Sequence, residues 1–152
     1  NLNEDRNNTI ILWYTFVMNL EKVFKNLIII LLALIVLLTI SVFYQSDAIK
    51  HFNENATFGI FERMGELGLL LGLLIEVIIS VLYFISLYLL YRFKPFGKKL
   101  FIYVFIISTI IGFFTGALAT NAFVFNLSML VTALDGAIIA FLYFTPIKEK
   151  FD

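Results

Sequence analysis

Apolar residues occur in four long runs along this chain, and shorter polar stretches separate the runs. The run over 67–91, LGLLLGLLIEVIISVLYFISLYLLY, contains Glu76 as its one acidic or basic residue. As a helix it reaches roughly 37 Å at about 1.5 Å per residue, which exceeds the hydrocarbon thickness of a bilayer. The pattern therefore predicts a membrane-spanning helix over 67–91.

Three further apolar runs predict spans at about 23–43, 100–119 and 123–145. Only helices and closed barrels satisfy their backbone groups in lipid, and the runs lack the alternation of barrel strands. We therefore predict an all-α membrane protein, a four-transmembrane-helix bundle. The very short connection at 120–122 makes spans three and four an antiparallel hairpin, and 45–66 is the one longer, outer loop.

The stretch 9–20, TIILWYTFVMNL, is apolar but too short to cross a membrane. Trp13 and Tyr14 suit a membrane–water interface. We predict an interfacial N-terminal helix here, and the alternative is that 9–20 prolongs the first spanning helix outside the bilayer. Apolar positions between 58 and 64 predict a short surface helix in the outer loop.

Composition supports a membrane protein with little left over for a soluble domain. Hydrophobic residues make up 61% of the 152 residues and charged residues 14%, against about 45–50% and about 25% in soluble domains. The chain has no cysteine and one histidine, His51, in the outer loop. No catalytic triad, HExxH, P-loop or GxGxxG element is present, and no basic patch suits nucleic acid. We expect neither an enzyme, nor a bound metal or cofactor.

Basic residues predict the orientation of the bundle. The long loop contains only two strong cations, Lys50 and Arg63, whereas the turn RFKPFGKK, with Pro95 and Gly97, and the C-terminal tail are basic. Since Lys and Arg accumulate on the cytoplasmic side, we predict that both termini and this turn are cytoplasmic. The predicted cytoplasmic basic turn consists of Arg92, Lys94, Lys98 and Lys99.

Small and polar side chains recur every fourth residue in three of the predicted spans. Such stripes let helices approach closely, so each predicts a packing face. The stripes consist of Gly68, Gly72 and Ser80 around Glu76; of Ser108, Gly112 and Gly116; and of Ser128, Thr132, Gly136 and Ala140. Four tyrosines near the inner ends of spans two and four suit an aromatic belt: Tyr83, Tyr88, Tyr91 and Tyr143.

Two acids, Glu76 and Asp135, are the candidate functional residues. At about 1.5 Å per residue they lie roughly 13 and 18 Å below the outer edge, near mid-bilayer. Each adjoins a stripe, so we expect both to face the bundle interior. Three hypotheses remain open: neutral carboxyls that hydrogen-bond between helices, a contact with a cation on another subunit, or binding and relay of protons or cations.

The segment from Leu134, LDGAIIAFLYFTPIKEKF, and the turn YRFKPFGKK resemble small uncharacterised four-span bacterial inner-membrane proteins. The resemblance covers the last three spans and implies a bacterial inner membrane, with no activity. Size and topology also resemble membrane immunity proteins that guard against pore-forming or envelope-targeted toxins.

These observations favour a non-enzymatic inner-membrane interaction or accessory protein, either a complex subunit or an immunity-type protein. It would bind a membrane protein partner, or a second copy of itself, through its membrane helices or its outer loop. The alternative is a small oligomeric proton- or cation-coupled transporter or channel that uses Glu76 and Asp135.

Overall fold

The computed structural model describes residues 2–44, 46, 47, 49, 51, 60–114 and 119–151, and these contain no strand. Helices follow one another along the chain as α1 (Leu2–Phe43), α2 (Ile60–Arg63), α3 (Gly65–Tyr91), α4 (Pro95–Gly112), α5 (Ala122–Phe144) and a final 3-10 helix (Pro146–Phe151).

Four of these helices are long and apolar enough to cross a membrane, namely α3, α4, α5 and the part of α1 over Phe16–Ser41. The prediction of an all-α, multi-pass membrane protein with four spans is therefore confirmed. The short helix expected between 58 and 64 is present as α2, while half of the outer loop lies outside the described residues.

The predicted interfacial helix at 9–20 is wrong, because α1 runs without interruption from Leu2 to Phe43. This segment contains no glycine or proline that would end a helix. Lys25 also donates to Glu21 across the predicted boundary at 2.9 Å, an i,i+4 pair that supports continuous helix. The alternative of a prolonged first helix matches the structure.

The third spanning helix is displaced along the sequence relative to the prediction. It begins at Pro95, in the first turn where proline is well tolerated, and ends at Gly112, against the predicted 100–119. Phe113 and Phe114 form a turn, and 115–118 lie outside the described residues. The next helix is capped by Asn121, whose Oδ1 accepts a hydrogen bond from the backbone N–H of Val124 at 2.8 Å.

The connection between α3 and α4 turns at Phe93, which adopts a positive φ of 51°. The Phe93 N–H donates to the Leu90 carbonyl and the Lys94 N–H to the Leu89 carbonyl, both at 2.9 Å. This pair of bonds is the Schellman arrangement that ends many helices, usually with glycine at the positive-φ position. Gly97 lies further on, inside the first turn of α4, and its backbone approaches Leu89 and Leu90 closely.

The helices pack as two pairs, α1 against α5 and α3 against α4. The buried core that joins the pairs lies at the end of the bundle that contains the 92–94 turn and the 3-10 helix, which we call the packed end. Its buried members are Phe24, Ile28, Leu31, Leu87, Leu90, Phe101, Ile138, Leu142, Ile147 and Phe151.

The C-terminal 3-10 helix closes the packed end by folding back against α1. Ile147 is fully buried and Phe151 almost so. The ring of Phe24 in α1 lies 6.0 Å from the ring of Phe151 and 5.8 Å from that of Phe93, measured between centroids. Lys150 adds an ion pair to Glu21 at 3.5 Å.

The opposite end, where α4 ends and α5 begins, is called the open end because its large apolar side chains are uncovered. The buried residues of α3 are Gly68, Ser86, Leu87 and Leu90, so most of its first half contacts little of this chain. Exposed apolar side chains at the open end include Leu70, Leu73, Leu74, Phe113, Phe123 and Phe125. The two pairs of helices therefore leave wide surfaces for lipid or another protein there.

Candidate functional site: two acids in different surroundings

Asp135 lies inside the bundle on α5, where only 7% of the residue is exposed. The Tyr83 hydroxyl on α3 donates a hydrogen bond of 2.6 Å to Asp135 Oδ1. Because the two residues are 52 positions apart, this bond ties α5 to α3. Asp135 thus has a neutral hydrogen-bond donor as its partner, whatever its own protonation state.

Tyr83 is the site residue that the sequence analysis missed. Its ring lies 5.9 Å from the ring of Phe101 on α4, and its backbone carbonyl accepts a bond of 2.7 Å from Ser86. These contacts hold the hydroxyl toward α5 and not toward the membrane surface. A signal was available, because Tyr83 is seven residues from Glu76 and therefore lies on the same face of α3.

Glu76 occupies that face of α3 about two turns nearer the open end, roughly 10 Å from Tyr83 along the axis. Its side chain is exposed, and no described residue donates a hydrogen bond to it. The expectation that both acids face the interior therefore fits Asp135, while Glu76 lies on the outer surface of this single chain. One face of α3 is enclosed at Tyr83 and uncovered at Glu76 because the open end is loosely packed.

A groove of about 240 Å³ begins at Glu76 and runs between α3 and α4. Ser80 of α3 and Ser108 of α4 supply small side chains, and Gly112 of α4 supplies only backbone. Ile79 and Ile111 supply the apolar walls. Two of the predicted stripes therefore meet here, although they line a groove and leave it unfilled. The Ser108 hydroxyl donates to the Phe105 carbonyl of its own helix at 3.0 Å.

The glycines at the start of α3 contact a different element from the one expected. A Cβ at Gly72 would lie 3.4 Å from the Cβ of Phe61 in α2, and one at Gly68 would collide with the Phe61 carbonyl oxygen. The GxxxG pair thus accommodates the short helix α2 and not another membrane span. Gly116, from the second stripe, lies outside the described residues.

The stripe on α5 points away from the rest of the chain. Thr132, Gly136 and Ala140 are exposed, and a Cβ built at Gly136 would meet no atom within 4 Å. The hydroxyls of Ser128 and Thr132 donate to carbonyls of their own helix at 2.7 and 3.0 Å. This face therefore has only small side chains, its hydroxyls are already bonded to its own helix, and no described residue covers it.

The predicted basic turn lies at the packed end. Arg92, Lys94 and Lys99 are exposed, and the Lys98 ammonium lies 4.9 Å from the ring centroid of Tyr143 on α5. Lys25 of α1 joins this region, with its ammonium 5.6 Å from the Tyr91 ring. Basic side chains from the start, the middle and the end of the chain thus share one end of the bundle.

The chemistry open to this arrangement is hydrogen bonding and ion pairing. Within the part of the chain that the structure describes, no group of three His, Asp or Glu side chains is placed to hold a metal ion. Comparison with protein-family models, curated proteins and solved structures finds no match. The surroundings of Glu76 and Asp135 are therefore the basis on which a function is argued.

Proposed function

We propose that this chain is a non-enzymatic interaction or accessory protein of a bacterial inner membrane, a complex subunit or an immunity-type protein, that binds a membrane helix of its partner. One observation carries the proposal. Glu76 is exposed within a spanning helix, at a groove lined by small residues, and no described residue pairs with it. The partner helix would lie in that groove at the open end.

The energetic argument is that an unpaired acid is unfavourable in hydrocarbon. A charged carboxyl at the centre of a spanning helix costs at least about 2.5–3.5 kcal/mol on insertion scales. A partner helix that brings a hydroxyl, an amide or a basic side chain to Glu76 removes part of that cost. Ser80, Ser108 and Gly112 permit the close approach that such a contact requires.

The orientation proposed from the sequence places the packed end and both termini in the cytoplasm. Support comes from the exposed cations Arg92, Lys94 and Lys99, which lie at the packed end together with Lys148 and Lys150 of the 3-10 helix. In this orientation the open end, the groove and the outer loop lie toward the outer leaflet. A partner from the periplasm or from within the membrane would reach Glu76 directly.

Cysteine crosslinking tests the proposal, because the chain has no cysteine of its own. Ser108→Cys places a thiol in the groove, and Thr109→Cys places one on the exposed neighbouring position, turned about 100° around α4. With a membrane-permeant amine- and thiol-reactive crosslinker in native membranes, Ser108→Cys should capture one defined protein and Thr109→Cys should not. Equal capture at both positions, or none at either, contradicts the proposal.

Substitutions of Glu76 then identify the kind of contact that it makes with the partner. If the partner donates a hydrogen bond, Glu76→Gln should retain crosslinking at Ser108→Cys while Glu76→Leu loses it. If the partner supplies a Lys or Arg, both substitutions should lose it, because the amide carries no charge. Retention in both variants would remove Glu76 from the interaction and with it the argument for the groove.

The transporter or channel is the second candidate, and a specific observation favours it. Glu76 and Tyr83 share one face of α3, and Tyr83 continues to Asp135 through its hydrogen bond. Polar groups thus follow one another from the groove toward the core. Purified chain in liposomes should then drive a pH-dependent cation flux that Glu76→Gln and Asp135→Asn each abolish. Absence of flux with intact folding counts against this candidate.

A further inference from the structure

A crevice of about 320 Å³ separates α1 from α3 near the packed end. It arises because α1 packs against α5 and α3 packs against α4, which leaves these two helices apart. Its lining is apolar or aromatic along almost its whole length. The residues are Ile28, Ile29 and Leu32 of α1 and Phe84, Leu87, Tyr88 and Tyr91 of α3.

The crevice opens sideways toward the surroundings of the bundle. Ile28 and Leu87 are buried and form its floor, whereas Ile29, Phe84 and Tyr88 are about half exposed or more and form its rim. Both helices are membrane spans, so the solvent on the open side is hydrocarbon. An apolar crevice at this depth is a surface along which a lipid acyl chain packs.

The end of the crevice nearest the packed end is basic. Tyr91 lines it there, and the Lys25 ammonium lies 5.6 Å from the Tyr91 ring centroid. Lys25 bonds to Glu21 through one of its three donor hydrogens, and its side chain remains 33% exposed. Arg92, which follows Tyr91, is exposed as well.

The packed end as a whole also has an excess of basic residues. The basic residues at the packed end are Lys22, Lys25, Arg92, Lys94, Lys98, Lys99, Lys148 and Lys150. Against them, the described acids there are Glu21, which is already paired with Lys25 and Lys150, and Glu149. A phosphate group at the crevice would have the Lys25 ammonium beside the Tyr91 ring, with Arg92 as the next residue after Tyr91. Basic recesses between membrane helices favour anionic lipid head groups.

We propose that the crevice between α1 and α3 is a binding site for an anionic glycerophospholipid. One acyl chain lies between Ile29 and Tyr88, and the phosphate contacts Lys25 and Arg92 beside the Tyr91 ring. The site goes beyond the proposed partner binding and is independent of it, because the groove at Glu76 lies between a different pair of helices.

Fluorescence quenching by brominated lipids tests this site. The chain has one tryptophan, so Trp13→Phe provides a silent background into which Ile29→Trp places a reporter on the crevice rim. Tyr103→Trp is the matched control, because Tyr103 is 62% exposed on α4 and does not line the crevice. Its depth is close to that of the crevice, since it is two residues from Phe101, whose ring contacts Tyr83 of α3. Each protein is reconstituted in vesicles containing brominated phosphatidylglycerol or brominated phosphatidylcholine at equal mole fraction.

We expect the reporter at Ile29→Trp to be quenched preferentially by phosphatidylglycerol, with a relative association constant roughly fivefold above phosphatidylcholine. The reporter at Tyr103→Trp should show no preference. Lys25→Gln should reduce the ratio at Ile29→Trp, and its combination with Arg92→Gln should reduce it to the control value. Lys25→Arg should retain the ratio, and Lys99→Gln should leave it unchanged.

Equal lipid preference at the two reporters would overturn the proposal, because the lipid at the crevice would then be ordinary boundary lipid. Failure of both brominated lipids to quench Ile29→Trp would also overturn it, because another protein or a second copy of the chain would then cover the crevice. Quenching of Tyr103→Trp by phosphatidylcholine confirms in every preparation that the bundle is inserted.

Discussion

The hydrogen bond from Tyr83 to Asp135 joins the polar side chains of two spanning helices, α3 and α5. Its donor is neutral, its length is 2.6 Å, and the aromatic ring that carries it packs against Phe101. Interhelical hydrogen bonds in membranes contribute modestly, about 0.6 kcal/mol on average and at most about 1.7. The bond therefore fixes which faces of α3 and α5 meet more than it determines total stability.

Tyr83→Phe removes the hydroxyl and keeps the ring, so it should destabilise the bundle by about 0.6–1.7 kcal/mol. The control is Tyr103→Phe, at an exposed position, which should change stability by less than about 0.5 kcal/mol. Reversible unfolding in mixed micelles measures both. A double-mutant cycle with Asp135→Leu should return most of the loss as coupling, and zero coupling would contradict the contact.

Gly97 and Gly136 test how closely the helices pack, because Gly97 is crowded by its neighbours and Gly136 is exposed. A Cβ at Gly97 would lie 2.7 Å from the Leu89 Cβ and 2.9 Å from the Leu90 nitrogen, whereas one at Gly136 would meet nothing within 4 Å. Gly97→Ala should therefore lower the free energy of unfolding by about 1–3 kcal/mol. Gly136→Ala should be neutral or slightly stabilising, because alanine is the better helix former. Equal effects in micelle unfolding would refute this difference.

At the residue scale, the direction in which each acid faces was predictable from the sequence only in part. Asp135 lies on an interior face, as its neighbouring stripe suggested, yet most of the stripe itself is exposed, so the stripe was not a sound reason for that expectation. The same argument predicted an interior position for Glu76 as well, although Glu76 is exposed. Exposure of a side chain depends on the distance to the neighbouring helix, which the argument did not include. Tyr83 was assigned to an aromatic belt from its position near the end of the span, a criterion that ignores the face it occupies.

Among the elements, the turn at 92–94 is the clearest case in which side-chain packing overrides backbone preference. Proline and glycine were expected to make the turn, yet Pro95 begins α4, Gly97 lies inside that helix, and Phe93 has the positive φ. A left-handed conformation costs a residue with a side chain about 1–2 kcal/mol. Contacts of the Phe93 ring with Phe24 and Phe151, at 5.8 and 5.4 Å, offset that cost.

Replacing Phe93 by alanine or by glycine should therefore reverse the usual order of stability, in which the alanine variant of a helical protein is the more stable one. Phe93→Ala loses the ring contacts and keeps the unfavourable φ, whereas Phe93→Gly loses the contacts and relieves the φ. Both should destabilise the bundle, and we expect the glycine variant to be more stable than the alanine variant by about 1 kcal/mol. Thermal unfolding of the purified variants measures the order, and a more stable alanine variant would contradict it.

The elements themselves were predictable where the signal was length and hydrophobicity. Four apolar runs became four helices, because backbone bonding in lipid leaves few other choices. Ends were less predictable. The 9–20 stretch looked separable from the first span, but polar residues such as Glu21 and Lys25 pair along one helix and do not interrupt it.

For the whole molecule, stability is concentrated at the packed end. Phe151, in the last turn of the chain, is 3% exposed and contacts Phe24 and Phe93. We predict that Phe151→Ala lowers the free energy of unfolding by about 3 kcal/mol, since its neighbours cannot fill the space. Lys148→Ala, at an exposed site in the same 3-10 helix, should change it by less than about 0.5 kcal/mol.

Protease sensitivity of the tail offers an independent check of this prediction. Phe151→Ala should make the peptide bonds after Lys148 and Lys150 cleavable by trypsin in micelles, whereas Lys148→Ala should leave the remaining site protected. If the Phe151→Ala tail stays protected, the 3-10 helix is held by something other than the aromatic contacts.

The tighter packing of one end of the bundle than the other could not be predicted from the sequence. No periodic pattern in the apolar runs marks where two helices separate. What distinguishes the ends is the arrangement of large rings: Phe24, Phe101 and Phe151 come from three distant segments. Such contacts become apparent only once the segments are placed in space.

The pairing of the first helix with the last elements also sets an order of events during synthesis. Helices α3 and α4 are adjacent in sequence and can associate as soon as both have entered the membrane. The packing surface of α1 must wait for α5 and for Phe151, more than a hundred residues later. At ribosomal rates of about 5–20 residues per second, that interval is roughly 6–25 s. Throughout it, Phe24 lacks its ring contacts with Phe141 and Phe151, and this is the stage at which insertion factors and membrane proteases meet the protein in its least complete form.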